Sequence, residues 1–176
     1  MLIGLIADTH VPEAGRELPR QVYDVFKEMD LILHAGDMHH PCVLDWLETV
    51  APVTCARGNG DWVGRGSHPP DPRVKQVQIL NLGGIRLGMV HDFPEVEANA
   101  KELGNLPIAM NHFFGGPVDV VVCGHTHKAV YFRHGNTLIV NPGSVLLPDH
   151  QRNQIGTVAI LEVKGLDTSV EMIQLR

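Results

Sequence analysis

Short apolar runs, each ending at polar or glycine-containing residues, set the rhythm of the first sixty positions. Residues 2–7, 31–34 and 53–56 are such runs, with helix-compatible stretches between them. That alternation predicts β-α-β units. Between Pro19 and Met29, the side chains Val22, Val25, Phe26 and Met29 fall at i, i+3, i+4 and i+7, one apolar face of a helix. Residues 43–50 offer a shorter second helix, and both would cover a sheet.

The pattern changes after residues 64–73, a stretch rich in Gly and Pro that reads as an exposed loop. Residues 74–82 and 85–90 flank Gly83-Gly84 and predict two strands joined by a tight turn. Residues 95–103 and 108–114 suit helices, the second ended by Gly115-Gly116-Pro117. Strands dominate thereafter, at 118–123, 129–133, 138–140, 157–163 and 169–175, with turns containing Gly135-Asn136 or Gly165. The expected fold is therefore α/β: two packed mixed sheets with helices outside, a four-layer α-β-β-α sandwich. No repeat, low-complexity tract or long linker divides the chain, so residues 1–176 are expected to form one domain.

Composition narrows the partners. A net charge of −6 opposes wrapping of extended nucleic acid, which needs concentrated Lys and Arg, but leaves room for a small phosphate compound. Cys42, Cys55 and Cys123 form no Cys-x-x-Cys pair and are odd in number for a disulfide framework, which favours a reducing compartment. The opening apolar run has no basic flank and stops at Asp8, unlike a signal peptide, and no run approaches bilayer length. A cytoplasmic location without a membrane partner is the default expectation.

Five clusters at predicted strand ends carry the chemistry: Asp8-Thr9-His10, Gly36-Asp37, Gly58-Asn59-Gly60-Asp61, His91-Asp92 and Gly124-His125-Thr126-His127. Strand ends in α/β sheets are where loops converge over a rigid support. Oxygen donors mixed with imidazole nitrogens suit Mn, Fe, Zn, Co or Ni better than Ca. So many ligand types imply two ions, which at a separation of about 3.5–4 Å can share a carboxylate and clamp a phosphoryl group.

The order Asp-x-His, Gly-Asp, Gly-Asn-x-Asp, His, Gly-His-x-His resembles the calcineurin-like metallophosphoesterase superfamily, and Asn141-Pro142-Gly143-Ser144 resembles a further element of its small single-domain phosphodiesterase branch. The resemblance implies Asp8, His10 and His127 on the first metal, Asn59, His91 and His125 on the second, and Asp37 as the bridge. It further implies two divalent ions, Mn favoured over Ni, Zn, Fe, Co or Mg. A hydroxide between them would attack a small phosphate diester. The alternatives are a phosphomonoesterase of the same fold and a catalytically weak metal-binding scaffold for protein contacts. Homo-oligomers are common in the family.

Departures from the family pattern sharpen the picture. Relatives with Gly-Asn-His-Asp/Glu place a histidine where this chain has Gly60, so aryl esters and other good leaving groups should be favoured over alkyl esters. Asp92 replaces a common glycine and is expected to orient His91, cap a helix near Glu95 or remain solvated. Arg57 and His39 are candidate substrate contacts, with His40 weaker, while His34 reads as a buried histidine bonded to backbone. After Ser144 the chain has Pro148-Asp149 instead of the Pro-Arg common in relatives, with Arg152 further on.

Overall fold

In the computed structural model, which describes residues 1–64, 68–94 and 105–176, the first three apolar runs become parallel strands. These are β1 (Leu2–Ile6), β2 (Leu31–His34) and β3 (Val53–Ala56), paired so that Ile3 faces Leu31 and Ile32 faces Val53. The connections contain α1 (Arg20–Phe26) and α2 (Cys42–Glu48). Helix α1 is shorter than its apolar periodicity suggests. It closes at Phe26, and Met29 packs from the following turn, where its N–H bonds to the Phe26 carbonyl at 3.0 Å.

The expected strand over 74–82 is two strands in two different sheets. β4 (Val74–Lys75) pairs with β3, whereas β5 (Val77–Leu82) pairs with β6 (Ile85–Val90) across the Gly83-Gly84 turn. Gln78 bridges the crossing, its Nε2 donating to the carbonyls of Cys55 at 2.8 Å and Arg73 at 3.0 Å. A continuous run of strand-forming residues does not disclose this change of partner, because alternation is the same in either sheet. Gly83 and Gly84 both adopt positive φ, 59° and 101°, which the tight turn demands and glycine supplies without strain.

The remaining elements are α3 (Leu106–Phe114), β7 (Val120–Val122), β8 (Ala129–His134), β9 (Thr137–Pro142), β10 (Thr157–Lys164) and β11 (Asp167–Gln174). Gly115, left-handed at φ 67°, ends α3. The predicted helix at 95–103 lies outside the described residues. One sheet has the order β11-β10-β1-β2-β3-β4 and the other β5-β6-β7-β9-β8, and both mix parallel and antiparallel pairs. The expected α/β sandwich of two mixed sheets is therefore the observed one, with three α-helices among the described residues.

Three apolar clusters follow from strand alternation. Ile3, Leu5, Leu87, Met89, Val120, Val122 and Leu161 fill the space between the sheets. Ile6 and Ile32, on the opposite face, meet Val22, Phe26, Leu44 and Leu47 from α1 and α2. Val121 and Ile139 meet Met110 and Phe114 of α3. Each fully buried side chain of this size contributes roughly 1.5–3 kcal/mol. Two strand glycines admit the helix aromatics: a Cβ on Gly4 would lie 2.8 Å from Phe26, and one on Gly88 would lie 2.7 Å from Phe114. With both helices drawn close, the carboxyl ends of β1, β2, β3, β6 and β7 form the support for all five polar clusters.

Candidate metal centre

The chain leaves β1, β2 and β7 through sharp turns. Asp8, His10, Asp37, His39, His125 and His127 all adopt left-handed backbone, with φ between 47° and 70°. Non-glycine residues hold such conformations at a cost of roughly 1–3 kcal/mol, so the surroundings must impose them. Here the Asp8 N–H bonds the Gly36 carbonyl at 2.9 Å and the His10 N–H bonds the Asp37 carbonyl at 3.0 Å. The His125 N–H donates to the Asp8 carboxylate at 3.0 Å. Gly124 permits that approach, since a Cβ there would lie 2.8 Å from Asp8 Oδ2. Gly58 is equally constrained: its Cβ would fall 2.0 Å from Asp37 Oδ1.

The result is a close cluster of donor atoms. His127 Nε2 lies 3.6 Å from Asp8 Oδ1 and 3.1 Å from His10 Nε2. Asp37 Oδ2 lies 3.8 Å from His10 Nε2 and 3.4 Å from His91 Nε2. Three overlapping groups, Asp8-His10-His127, Asp8-Asp37-His91 and His10-Asp37-His39, each keep their ligand atoms within 4.8 Å of one another. The groups share Asp8, His10 and Asp37.

Two histidines are aimed by backbone acceptors. His91 Nδ1 lies 2.8 Å from the Ala35 carbonyl and His127 Nδ1 2.8 Å from the Leu147 carbonyl, so Nδ1 donates and each Nε2 faces the cluster, where it can offer a lone pair once a cation takes the place of any proton there. Among the described residues, His91 Nε2 is buried without a hydrogen-bond partner. A buried polar atom left so is costly, and a cation between it and the carboxylates would satisfy it. The mixed oxygen and imidazole donors fit a borderline divalent ion.

The electrostatics of the metal-free cluster are consistent with that fit. Burial, with the neighbouring Asp37 charge, pushes the Asp8 carboxyl well above its usual range. Burial acts on Asp37 in the same direction, but His91, the Gly60 N–H and His10 outweigh it and hold this carboxyl well below the usual range. His10 is pulled down to about 4 by burial and by His39. For His91 burial is opposed by Asp37 and Asp8, which lift it to about 9. Carboxylates removed from water are searching for positive charge, and one imidazole supplies part of it.

Of the other two expected ligands, His125 stands beside His91 rather than in these three groups, and Asn59 borders a cleft that His91 also lines. His125 sets its ring edge-on to His91 at a centroid distance of 5.2 Å. Asn59 is exposed and lines, with Arg57, His91, Asp92 and Phe113, a cleft of about 400 Å³. Arg57 directs Nη2 to the Val63 carbonyl in its own loop. Asp92 is exposed and does not orient His91, which the Ala35 carbonyl does. The suggested cap near Glu95 lies outside the described residues. His34 is buried as expected, accepting from the Gly36 N–H at Nδ1 and bonded to Thr9 Oγ1 through Nε2. His40 Nδ1 accepts from the Cys42 N–H at 3.1 Å and so serves the start of α2. Arg152 reaches the Glu13 carbonyl at 3.5 Å.

Several supporting roles escaped sequence reasoning. Asp61 accepts from the N–H groups of Gly58 at 2.7 Å, His39 at 2.9 Å and Asp37 at 3.3 Å, tying the loops after β2 and β3 together. Its place in Gly-Asn-x-Asp was the available signal. Asn141 donates to the Gly124 carbonyl at 2.7 Å and accepts from the Gly143 N–H at 2.9 Å. Ser144 Oγ donates to the Asp8 carbonyl at 2.6 Å and accepts from the Leu147 N–H at 2.9 Å. The Asn-Pro-Gly-Ser segment thus braces both Asp8 and the carbonyl that aims His127.

Comparison with known proteins identifies the family of the chain. The family model described as the calcineurin-like phosphoesterase superfamily domain matches residues 1–166. A probable metallophosphoesterase of Methanothermobacter thermautotrophicus is 33% identical over 174 residues, 99% of this chain and 92% of the relative. Another, from Methanocaldococcus jannaschii, is 32% identical over 156 residues, covering 84% and 70% respectively. Among solved structures, wild-type Vps29 from Entamoeba histolytica complexed with zinc aligns with a TM-score of 0.72 at 20% identity, over 99% of each chain.

Proposed function

Because the chain belongs to the calcineurin-like phosphoesterase superfamily, we propose that it hydrolyses small phosphate diesters at two divalent ions held by its strand-end clusters. Asp8, His10 and His127 would hold one ion, Asn59, His91 and His125 the other, and Asp37 would face both. The observation that carries this reading is the overlap of the donor groups at Asp8, His10 and Asp37, beside a buried His91 Nε2 with no partner among the described residues. Mn is favoured, with Ni, Zn, Fe, Co and Mg as alternatives. When bound, such ions neutralise charge on phosphoryl oxygens and make water a better nucleophile.

The chain's own residues would do the rest. Asp61 and Ser144 hold the ligand-bearing turns, so positioning is established before substrate arrives. The cleft beside Asn59 and His91 accommodates the ester, with Arg57 in its wall as the contact for a phosphate oxygen. Gly60 offers no side chain to protonate a departing oxygen, which is why aryl diesters are preferred over alkyl ones. The three unpaired thiols suit a cytoplasmic setting, and the whole chain would act as one domain.

The test is metal-free protein reconstituted separately with Mn, Ni, Zn and Mg, assayed on aryl diesters, aryl monoesters and cyclic nucleotides. Diester turnover should exceed monoester turnover, and Asp37→Asn should abolish it while weakening both ions. Retained activity in that variant rejects the shared role of Asp37. Absence of turnover with every metal would favour a protein-interaction scaffold instead.

A further inference from the structure

His39 is built like the aimed histidines of the metal centre, although the family resemblance gives it no part there. Its Nδ1 lies 2.7 Å from Glu13 Oε2, as the Nδ1 atoms of His91 and His127 lie against carbonyls. With that carboxylate accepting the Nδ1 proton, Nε2 carries the lone pair. The ring is little exposed (14%), stands edge-on to His10 at 4.3 Å and stacks on Trp62 at 6.2 Å. Its left-handed backbone, φ 66°, is pinned by Asp61 Oδ1 on its N–H and by the Trp62 N–H on its carbonyl.

Gly60 explains where Nε2 goes. A Cβ at position 60 would lie 2.5 Å from His39 Nε2 and 3.2 Å from Asp37 Oδ1. The imidazole occupies space that any side chain at 60 would claim, next to the Asp37 carboxylate. One ring nitrogen of His39, an oxygen of Asp37 and a nitrogen of His10 lie within 4.8 Å of one another.

We propose that His39 is an additional metal ligand, acting with His10 and Asp37, oriented by Glu13 and admitted by Gly60. The inference rests on the metal-centre reading and takes His39 out of the substrate-contact role. Imidazoles from His10 and His39 beside the Asp37 carboxylate bias that position toward Zn, Co or Ni and away from Mg, which prefers oxygen. Glu13, half-exposed at 43%, is a positioning residue that acts through His39.

The decisive experiment follows the imidazole nitrogens directly, by NMR of the ¹⁵N-histidine-labelled, unsubstituted chain during titration with zinc. The Nε2 resonance of His39 should move together with those of His10 and His127. Calorimetry should then show zinc affinity reduced by at least about 10–100-fold in His39→Ala and by about 10-fold in Glu13→Gln. Mg affinity should change much less in both. Gly60→Ala keeps every histidine yet should reproduce the zinc loss by displacing the ring. An unmoved His39 Nε2 while His10 and His127 respond, or unchanged zinc affinity in His39→Ala, overturns the proposal and leaves the wider metal centre intact. If no histidine responds to any ion, the metal-centre reading fails and this inference with it.

Discussion

Replacing Ser144 by Ala removes one oxygen from a fully buried position and tests how far the metal centre depends on residues that touch no ion. Ser144 Oγ is the donor to the Asp8 carbonyl and the acceptor for the Leu147 N–H, at 2.6 and 2.9 Å. Alanine leaves both groups without that partner. A buried group left unpaired costs about 1–3 kcal/mol. Two of them give about 2–4 kcal/mol, because Leu147 is only half-buried and water recovers part of its loss. Domains of this kind are stable by about 5–15 kcal/mol, so the variant should still fold. The same change releases the loop whose Leu147 carbonyl aims His127, and loss of such an outer support typically weakens metal binding 10–100-fold. Urea unfolding of metal-free protein gives the first quantity and calorimetric zinc titration the second. A destabilisation under about 0.5 kcal/mol, of the size of a neutral surface change, would refute the stated role of the Oγ. Unchanged zinc affinity would refute its link to His127.

Other consequences are equally direct. Burial, reinforced by His91, holds His34 down to about 3, below its unfolded value near 6.5, so its neutral form favours folding above pH 6.5. That stability should be lost as pH falls from 6.5 toward 3, by up to about 1.4 kcal/mol per pH unit, and His34→Gln should flatten this part of a urea-midpoint profile in metal-free protein. Divalent ion at a hundredfold excess over its Kd should stabilise the protein by about 2.7 kcal/mol per site, read as a rise in melting temperature that chelator reverses; no shift with any ion would contradict a binding site. Gly88→Ala forces a Cβ to within 2.7 Å of Phe114 and should cost about 1–3 kcal/mol in chemical unfolding, while zinc affinity stays at its original value because the contact lies on the α3 side of the sheet.

Much of this protein is legible in its sequence because the informative features are local. Short apolar runs place β1, β2, β3 and β6, and Gly83-Gly84 marks a turn, since each depends on neighbours a few residues away. Asp8, His10, Asp37, His91 and His127 lie just past β1, β2, β6 and β7, so their meeting at the strand ends could be anticipated. The tertiary structure alone decided which sheet each part of residues 74–82 would join, because pairing partners, not alternation, make that choice. It also decided the supports. Ser144 meets Asp8 across 136 positions, Asp61 meets His39 across 22, and Glu13 meets His39 across 26. Hydrogen bonds of that reach leave no periodic trace in the chain, because they exist only after folding has brought separate strand ends together. For the same reason Gly60, an omission when seen in the sequence, becomes in the folded chain the space that His39 fills.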